Sequence, residues 1–293
     1  MDSIYETGGL AGRFLCKADF GALYEAFLSA FSDYLTPVDL TEEQFRKHIL
    51  LNAVDLDRSF GWFDHDVIVG FTLNGFGTWH GIPTVYDAGT GIRPAYRRRG
   101  LSKRMFERML PIFTADGYRQ CLLEVITENF KAIKLYEGLG FEPTRTVSLL
   151  HCPEKLNTRD SWASKIELCP IDIPDWQLLR TFWDGEPSWQ NSTDAIDRSR
   201  SSKRFTGAFV DGRCVGYIVY SANVGRVAHL AVEKSYRNQG IANCLVRSLA
   251  EDTAENYVPQ VINIDRSIES AMTFFKNRGF SEKLSQFEMV RPI

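Results

Sequence analysis

The sequence predicts two tandem α/β domains, each built on a mixed sheet, because one order of motifs occurs twice along its 293 residues. The first sign is a pair of Arg-x-x-Gly-x-small motifs, "RRRGLS" and "RNQGIA", which begin at Arg97 and Arg237. The second is a pair of predicted hairpins, "GWFDHDVIVGF" and "GAFVDGRCVGY", with glycines nine positions apart in both. The third is a Gly-Phe that follows the motif arginines by 44 and 43 positions. Together they indicate a duplication at low identity.

Each half predicts a strand, two helices, three strands, a helix, a strand, a helix and one or two closing strands. The opening helices of the first half are expected over Phe20 to Asp33 and Glu42 to Ala53, the second capped by Thr41. The predicted domains are residues 1–153 and 162–293. The polar segment Cys152 to Trp162, which contains Pro153, is the expected linker.

The composition is typical of a globular protein and disfavours several partners. Residues are 44% hydrophobic and 24% charged, and the net charge of -3 argues against nucleic-acid and membrane-surface binding. The chain start lacks a secretory pattern and no apolar stretch reaches roughly 18 residues, so we expect a cytoplasmic protein. Six scattered cysteines and five histidines show no ligand spacing, so no metal site is expected.

The repeated motif predicts a phosphate site. A strand followed by a glycine turn that opens a helix leaves backbone N–H groups unpaired, with the positive end of the helix dipole behind them. The helices are expected over Gly100 to Ala115 and Gly240 to Glu255. Small residues at Gly100 and Ser102 allow phosphate oxygens to approach the backbone. The alternative is a solvated helix start, which is less expected for two copies in the same context.

With these motifs the chain resembles the GNAT superfamily of acetyl-CoA dependent N-acetyltransferases, over nearly its whole length and twice. The family's pyrophosphate loop is Arg/Gln-x-x-Gly-x-Gly/Ala, from which Ser102 departs slightly, and "LEVITENFKAIKLYEGLGF" is similar to a later family segment. The resemblance implies two GNAT-type acyl-CoA N-acyltransferase domains, acetyl-CoA as donor and an amine of a small molecule or peptide as acceptor. It implies these cofactor-binding residues: Ile92, Arg97, Arg98, Arg99, Gly100, Leu101, Ser102 and Asn129, with Val232, Arg237, Gly240 and Ala242 in the second half.

By the same resemblance, an amide near Ile92 steadies the thioester oxygen, Asn129 touches the pantetheine and Tyr136 lies near the sulfur. Tyr136 is the expected general acid, since a phenol with a pKa of about 10 stays protonated at neutral pH. Glu124 is the expected base, at the spacing from Tyr136 seen in ribosomal-protein alanine acetyltransferases, which this segment is similar to. Asp87 is the alternative base. The alternatives to these catalytic roles are structural: Tyr136 could simply pack on the sheet, and Glu124 could be a hydrogen-bonded strand carboxylate.

The second half lacks this chemistry in sequence. Alignment on the Gly-Phe puts Phe275, Ile268 and Asn263 in place of Tyr136, Asn129 and Glu124. We therefore expect catalysis in the first half and a degenerate copy in the second. His229 is either an alternative base or, more simply, a core histidine.

The acceptor is the least determined partner. The segment Gly75 to Pro83 could cover it, and Asp33 within "FSDYLTP" could meet a cationic amine, although both could be plain surface loops. Two other functions stay open: a non-catalytic acyl-CoA binding module, and an aminoacyl transferase using charged tRNA, which the net charge disfavours. A monomer is slightly favoured.

Overall fold

The computed structural model describes residues 5–36, 38–153, 166–252 and 258–293. The chain forms two compact units, of which unit 1 comprises Met1–Thr144 with Phe287–Ile293, and unit 2 comprises Arg145–Gln286. Each unit is a mixed α/β structure, as the sequence predicts. The linker expected between Cys152 and Trp162 lies mostly outside the described residues.

Unit 1 begins with two short strands, which form one edge of its sheet, and a helix pair. Its elements are β1 (Tyr5–Thr7), β2 (Leu10–Phe14), α1 (Phe20–Ala30), α2 (Glu42–Leu51), β3 (Phe60–Asp64), β4 (Val67–Trp79), β5 (Ile82–Ile92), α3 (Leu101–Ala115), β6 (Gln120–Ile126) and α4 (Phe130–Gly138). Helix α1 is three residues shorter than expected. Thr41 caps α2 as predicted, because its side chain accepts from the Gln44 amide and the Gln44 side chain accepts from the Thr41 amide.

Unit 2 repeats this order, but its first two helices are shorter than those of unit 1. Its elements are β7 (Glu142–His151, shared with unit 1), β8 (Glu167–Pro170), α5 (Trp176–Leu179), α6 (Thr193–Arg198), β9 (Arg204–Val210), β10 (Arg213–Ser221), β11 (Arg226–Val232), α7 (Ile241–Asp252), β12 (Gln260–Asp265), α8 (Glu269–Lys276) and β13 (Ser281–Pro292, shared with unit 1). Both predicted hairpins form, as β3–β4 and β9–β10. No helix in the described ranges is long and apolar enough to cross a membrane.

The sheets of the two units follow one plan. In unit 1 the strands lie in the order β1-β2-β3-β4-β5-β6, with only β5 and β6 parallel. In unit 2 the order β8-β9-β10-β11-β12 has β11 and β12 as the parallel pair. The faces of the unit 1 sheet bury separate apolar clusters, one containing Met105 and Phe141 and the other Phe27 and Phe71.

Each unit contains the end of the closing strand of the other sequence repeat. The C-terminal segment Phe287–Ile293 belongs to unit 1, where Met289 is fully buried. The end of β7, with Leu150 and Cys152, lies in the core of unit 2. The domain limits predicted from sequence, 1–153 and 162–293, describe the two repeats along the chain and stay a prediction. The compact units of the structure divide at other points, between Thr144 and Arg145 and between Gln286 and Phe287.

Candidate active site

The two motif loops have the same backbone conformation. The second and fourth motif residues take positive φ in both copies: Arg98 at 62° and Gly100 at 73°, Asn238 at 61° and Gly240 at 86°. This conformation turns the chain into the first turns of α3 and α7, and Gly100 caps α3 without a side-chain hydrogen bond. Such a turn at a helix N-terminus directs backbone N–H groups towards one point, which suits a phosphate group.

The first arginine of the loop is an internal anchor. Arg97 Nε donates to the Ile92 carbonyl at 3.1 Å, and Nη2 donates to the Ala30 carbonyl at 2.9 Å. Nη1 and Nη2 each donate to a carboxylate oxygen of Asp33 at 2.6 Å, which lowers the pKa of Asp33. The Arg97 side chain thus fastens the loop to β5 and to the end of α1. Asp33, expected to meet a cationic amine, is already paired with a cation.

Arg237 forms an equivalent anchor in unit 2, with a strand carbonyl, a second carbonyl and an aspartate as its partners. Its Nε donates to the Val232 carbonyl at 3.0 Å, Nη2 to the Phe182 carbonyl at 3.0 Å and Nη1 to Asp184 at 2.9 Å. The shared pattern explains why the motif begins with arginine: it shapes the loop. Binding of a cofactor by the backbone at these positions stays a prediction.

The other two loop arginines, Arg98 and Arg99, are exposed. The Arg99 guanidinium lies 4.9 Å from the ring centroid of Tyr96 and donates to the Ala95 carbonyl at 3.3 Å. An exposed cation beside an anion-binding turn can pair with a phosphate, so these side chains stay the expected electrostatic part of the loop.

A gap opens between the parallel strands next to this loop. β5 and β6 pair only from Thr84 with Gln120 to Tyr86 with Leu122. From Asp87 onwards β5 has no ladder partner on this side, and it runs towards the motif loop at Ile92. Asp87 therefore lies at the apex of the gap.

Asp87 and Tyr136 form the centre of a buried polar cluster. Tyr136 Oη donates to Asp87 Oδ2 at 3.1 Å, and Thr90 Oγ1 donates to the same oxygen at 2.8 Å. The Gly89 amide donates to Asp87 Oδ1 at 3.0 Å. β5 and α4 thus meet at one carboxyl group.

Burial sets the protonation of this pair. It raises the pKa of Asp87 to about 6, against the hydrogen bonds that favour the carboxylate. Burial and the neighbouring Asp87 raise the pKa of Tyr136 well above 10. At neutral pH Asp87 is therefore mostly ionised and Tyr136 stays protonated. The two groups can accept and donate a proton within one hydrogen bond.

Glu124 lies on β6 but has a different partner. Its Oε2 accepts a hydrogen bond from the Tyr86 hydroxyl. Because neighbouring residues of a strand point to opposite faces, Tyr86 and Asp87 diverge, and Glu124 shares the face of Tyr86. Asp87, the alternative base in sequence, is the carboxylate in contact with Tyr136. Which of the two acts as base stays a prediction.

His48 on α2 supports the strand beside Asp87, and sequence reasoning missed it. Its Nε2 lies 2.9 Å from the Ala88 carbonyl, to which it donates, and its Nδ1 accepts from Asn52 Nδ2 at 3.2 Å. Burial lowers the pKa of His48, which keeps the ring neutral. The register of β5 against β4 shifts between Asp87 and Gly89, so Ala88 is a bulge residue that His48 holds in place.

The structure also places Asn129 and the segment Gly75 to Pro83, two features that the sequence singles out. The Asn129 side chain accepts from the Ala132 amide at 3.2 Å and so caps α4. The segment Gly75 to Pro83 forms the hairpin end of β4 and β5, with Trp79 paired to Ile82. The tip of this hairpin is at the paired end of β5, away from Asp87, which favours the plain surface loop over a cover for the acceptor.

The strand register shows what replaces the polar cluster in unit 2. Gly216 pairs with Val232 as Gly70 pairs with Ile92, and counting along both ladders equates the two units. The residues Asp87, Thr72, Thr90 and Tyr136 correspond to Val227, Ile218, Leu230 and Phe275. All four substitutes are apolar, so no proton-transfer group stands at those positions.

His229 is a structural residue of unit 2. Its Nε2 donates to the Asn191 carbonyl at 2.7 Å, and its Nδ1 accepts from the Tyr217 hydroxyl at 2.9 Å. Burial lowers its pKa to about 4. This is the core histidine that the sequence left as the simpler alternative.

Unit 2 nevertheless keeps an open cleft. β11 and β12 pair only at Arg226 with Gln260 and Val227 with Val261. A cavity of about 440 Å³ lies between the strands beyond this point and reaches Arg237 and Gly240 of the motif loop. The second copy therefore retains the loop and the gap while its apex is apolar.

Comparison with known families now identifies the class of protein. Residues 21–141 match the acetyltransferase (GNAT) family, and residues 179–290 match an acetyltransferase (GNAT) domain. Together the matches cover well over half of the chain. The chain therefore belongs to the GNAT family of acetyltransferases and carries two GNAT domains in tandem. GNAT domains generally bind acetyl-CoA.

Solved structures show the same fold at low identity. A GCN5-related N-acetyltransferase from Sphaerobacter thermophilus has a TM-score of 0.75, with 14% identity over 98% of this chain and 97% of that chain. A tandem GNAT protein from the clavulanic acid biosynthesis pathway has a TM-score of 0.71, with 12% identity, 97% of this chain and 98% of that chain. A GCN5-related N-acetyltransferase from Anabaena variabilis has a TM-score of 0.62, with 13% identity over 96% of this chain and 72% of that chain. A comparison with curated proteins finds no sequence match.

Proposed function

We propose that the protein is an acetyl-CoA dependent N-acetyltransferase, that unit 1 carries the catalysis, and that the acceptor is an amine of a small molecule or peptide. The observation that supports this most is the buried Asp87–Tyr136 pair at the apex of the β5–β6 gap, next to the Arg97–Ser102 loop. A cytoplasmic location and a monomeric state stay predictions from the sequence.

Acetyl-CoA supplies an activated acetyl thioester to this site. The backbone N–H groups of the loop around Gly100 and Leu101 hold its pyrophosphate, for which the pair of positive φ values at Arg98 and Gly100 is well suited. Ile92 at the end of β5 offers an amide to the thioester carbonyl oxygen. The Asn129 side chain contacts the pantetheine arm.

The proton transfers use the two groups at the apex. Asp87, ionised at neutral pH, takes a proton from the acceptor ammonium so that the amine nitrogen can attack. When the new C–N bond has formed and the C–S bond breaks, Tyr136, protonated at neutral pH, gives its phenol proton to the departing thiolate. The nitrogen then loses its second proton, which restores the phenol, and Asp87 releases its proton to solvent. Glu124 is the competing candidate for the base. Asp87 is preferred because it is bonded to Tyr136.

The proposal is tested by following thiol release from acetyl-CoA with a panel of small amines and peptides with free amino groups. Tyr136→Phe is expected to lower kcat by about 100-fold or more, the scale of general acid catalysis. Tyr220→Phe is the matched control, since Tyr220 donates to Asp252 at 3.0 Å outside this site. Unchanged turnover in Tyr136→Phe would refute the assignment.

The base is assigned by a second pair of variants. Asp87→Asn is expected to remove activity, while Glu124→Gln keeps most of it. The reverse result would make Glu124 the base and leave Asp87 with a structural role.

A second candidate function, non-catalytic acyl-CoA binding, is favoured for unit 2 by its cavity and apolar apex. Calorimetric titration of acetyl-CoA into the intact protein tests this. We expect two sites, one removed by Gly100→Glu and the other by Gly240→Glu, because a carboxylate in either loop repels a phosphate. A single site removed only by Gly100→Glu would exclude binding by unit 2.

A further inference from the structure

Unit 2 carries a row of polar side chains at the end of its sheet that lies away from the motif loop. Ser221 on β10 pairs with Arg226 on β11, Arg226 pairs with Gln260 on β12, and Gln260 pairs with His151 on β7. Directly paired residues of a sheet place their side chains on the same face. Lys203, immediately before β9, joins this polar row because its Nζ donates to Ser221 Oγ at 3.1 Å.

The neighbours of the polar row along the strands show which face it occupies. Val227, Val261 and Leu150 each adjoin a member of the row and lie in the apolar core that includes α7. The polar row therefore lies on the opposite face of the sheet, next to Phe205 and Val219 of the second apolar cluster of unit 2. All five of its side chains are at least partly accessible to solvent.

The two cations of the polar row have no acidic partner among the described residues. Arg226 makes no hydrogen bond or ion pair with them, and Lys203 has Ser221 as its hydrogen-bond partner there. Burial lowers the pKa of Arg226, and burial together with the charge of Arg226 lowers the pKa of Lys203 to about 8. Arg226 is nevertheless exposed. A cation that is accessible and still partly desolvated lies in an open recess, where a bound anion would relieve the repulsion between the two charges.

Unit 1 has no cation at the corresponding paired positions. The register that equates the two units matches Arg226, Ser221 and Gln260 with Tyr86, Gly75 and Leu122, in that order. In unit 1 the hairpin also continues beyond these positions to Trp79 and Ile82, whereas β10 and β11 end at Ser221 and Arg226. The polar row is thus a property of the second copy alone.

The polar row is separate from the motif loop of unit 2. Arg226 and Val232 are the two ends of β11, about 20 Å apart at about 3.3 Å per residue. The motif loop that begins at Arg237 follows the Val232 end. A molecule at the polar row would therefore not occupy the place of a phosphate in the loop.

We propose that Lys203, Ser221 and Arg226 form a binding site for a phosphate group, free or carried by a small molecule, to which Gln260 and His151 donate further hydrogen bonds. A guanidinium binds phosphate through two parallel hydrogen bonds, and an ammonium binds it as a point charge. The two negative charges of a phosphate match the two cations, whereas a carboxylate would balance one of them. This inference does not depend on the proposed acetyl transfer, which uses the other unit.

The test measures anion binding by the intact protein with acetyl-CoA present at saturation to occupy the motif loops. Inorganic phosphate, glycerol 3-phosphate and acetate are titrated separately by calorimetry at one ionic strength, because salt screens such sites. We expect both phosphates to bind at least about tenfold more tightly than acetate. Arg226→Gln and Lys203→Gln should each weaken phosphate binding by about tenfold or more, the scale of one hydrogen bond to a charged group.

Arg213→Gln is the matched control, because Arg213 is an exposed arginine of β10 that pairs with Glu233 at 2.7 Å, outside the polar row. It should bind phosphate as the native protein does. Arg226→Gln removes an unpaired cation, so in phosphate-free buffer its Tm should be no lower than that of the native protein, which separates loss of the site from loss of the fold.

The relative affinity of the two phosphates identifies the source of the group. Tighter binding of glycerol 3-phosphate supports a phosphorylated small molecule, and tighter binding of inorganic phosphate supports the free anion. Acetate binding as tight as that of phosphate, unchanged phosphate binding in Arg226→Gln, or an equal loss in Arg213→Gln would each overturn the inference. Unchanged turnover in Tyr136→Phe would refute the proposed function and leave this result standing.

Discussion

The raised pKa of Asp87 predicts a pH-dependent effect of Asp87→Asn on stability. The carboxyl group has an ordinary pKa of 3.8 and a pKa of about 6 in the folded protein. The folded state therefore binds this proton more tightly than the unfolded state between these values. The stability that comes from the neutral carboxyl is complete below pH 3.8 and is lost as the pH rises through 6. An amide at this position does not ionise and escapes the loss.

The two pKa values set the size of the effect. Linkage between 3.8 and 6 gives a difference of about 2 kcal/mol between pH 4.5 and 7.5. The free energy of unfolding of Asp87→Asn, relative to the native protein, should rise by this amount over that range and stay level above pH 7. Urea denaturation at four pH values, followed by tryptophan fluorescence, measures it.

Asp64→Asn is the control for this experiment. Asp64 also accepts from a tyrosine, Tyr96 at 2.6 Å, but it is at the surface and its pKa is lowered by that bond and by His65. Its variant should lose stability relative to the native protein as the pH rises, which is the opposite sign. A pH-independent difference for Asp87→Asn would show that Asp87 is solvated and would remove the basis for its role as a base near neutral pH.

Two further outcomes follow from the loops and the second unit. Gly100→Ala should cost about 1 kcal/mol of stability, since Gly100 has φ of 73°, and should weaken acetyl-CoA binding in calorimetry. Gly117→Ala is the control: Gly117 has φ of 93° and also lies in open space, so this variant should strain the backbone and leave acetyl-CoA binding unchanged. A similar loss of affinity in both variants would contradict the phosphate role of the loop. His229→Gln should gain stability relative to the native protein as the pH falls from 6.5 towards 4. In this range the unfolded native chain binds a proton at His229 while the folded protein does not, which lowers the free energy of unfolding of the native protein but not that of the variant. A difference that does not change in urea titrations over this range would contradict the burial of His229.

The sequence predicts the fold well where the signal is local and repeated. The hairpins, the helix cap at Thr41 and the turns at Gly100 and Gly240 depend on a few neighbouring residues, and the structure confirms them. The exchanged closing strands escape prediction, because β7 and β13 have ordinary strand patterns that do not indicate which sheet they join.

The site is harder to predict because its contacts join distant parts of the chain. Tyr136 stands out in its motif, but its contact with Asp87 spans 49 positions. Arg97 looks like a phosphate ligand in sequence, and only the folded chain reveals Asp33 as its partner, 64 positions away.

The exchange of closing strands has a practical consequence for dissecting the protein. Cutting the gene between the sequence repeats would take Phe287–Ile293 away from unit 1 and expose the edge of β6. A fragment ending near Thr144 would thus lack a strand from its sheet, and unpaired strand edges promote aggregation. Removing Phe287–Ile293 would likewise damage unit 1, although this segment is far from the rest of unit 1 along the chain. The two copies can diverge in chemistry, but each depends on the other's end to complete its fold.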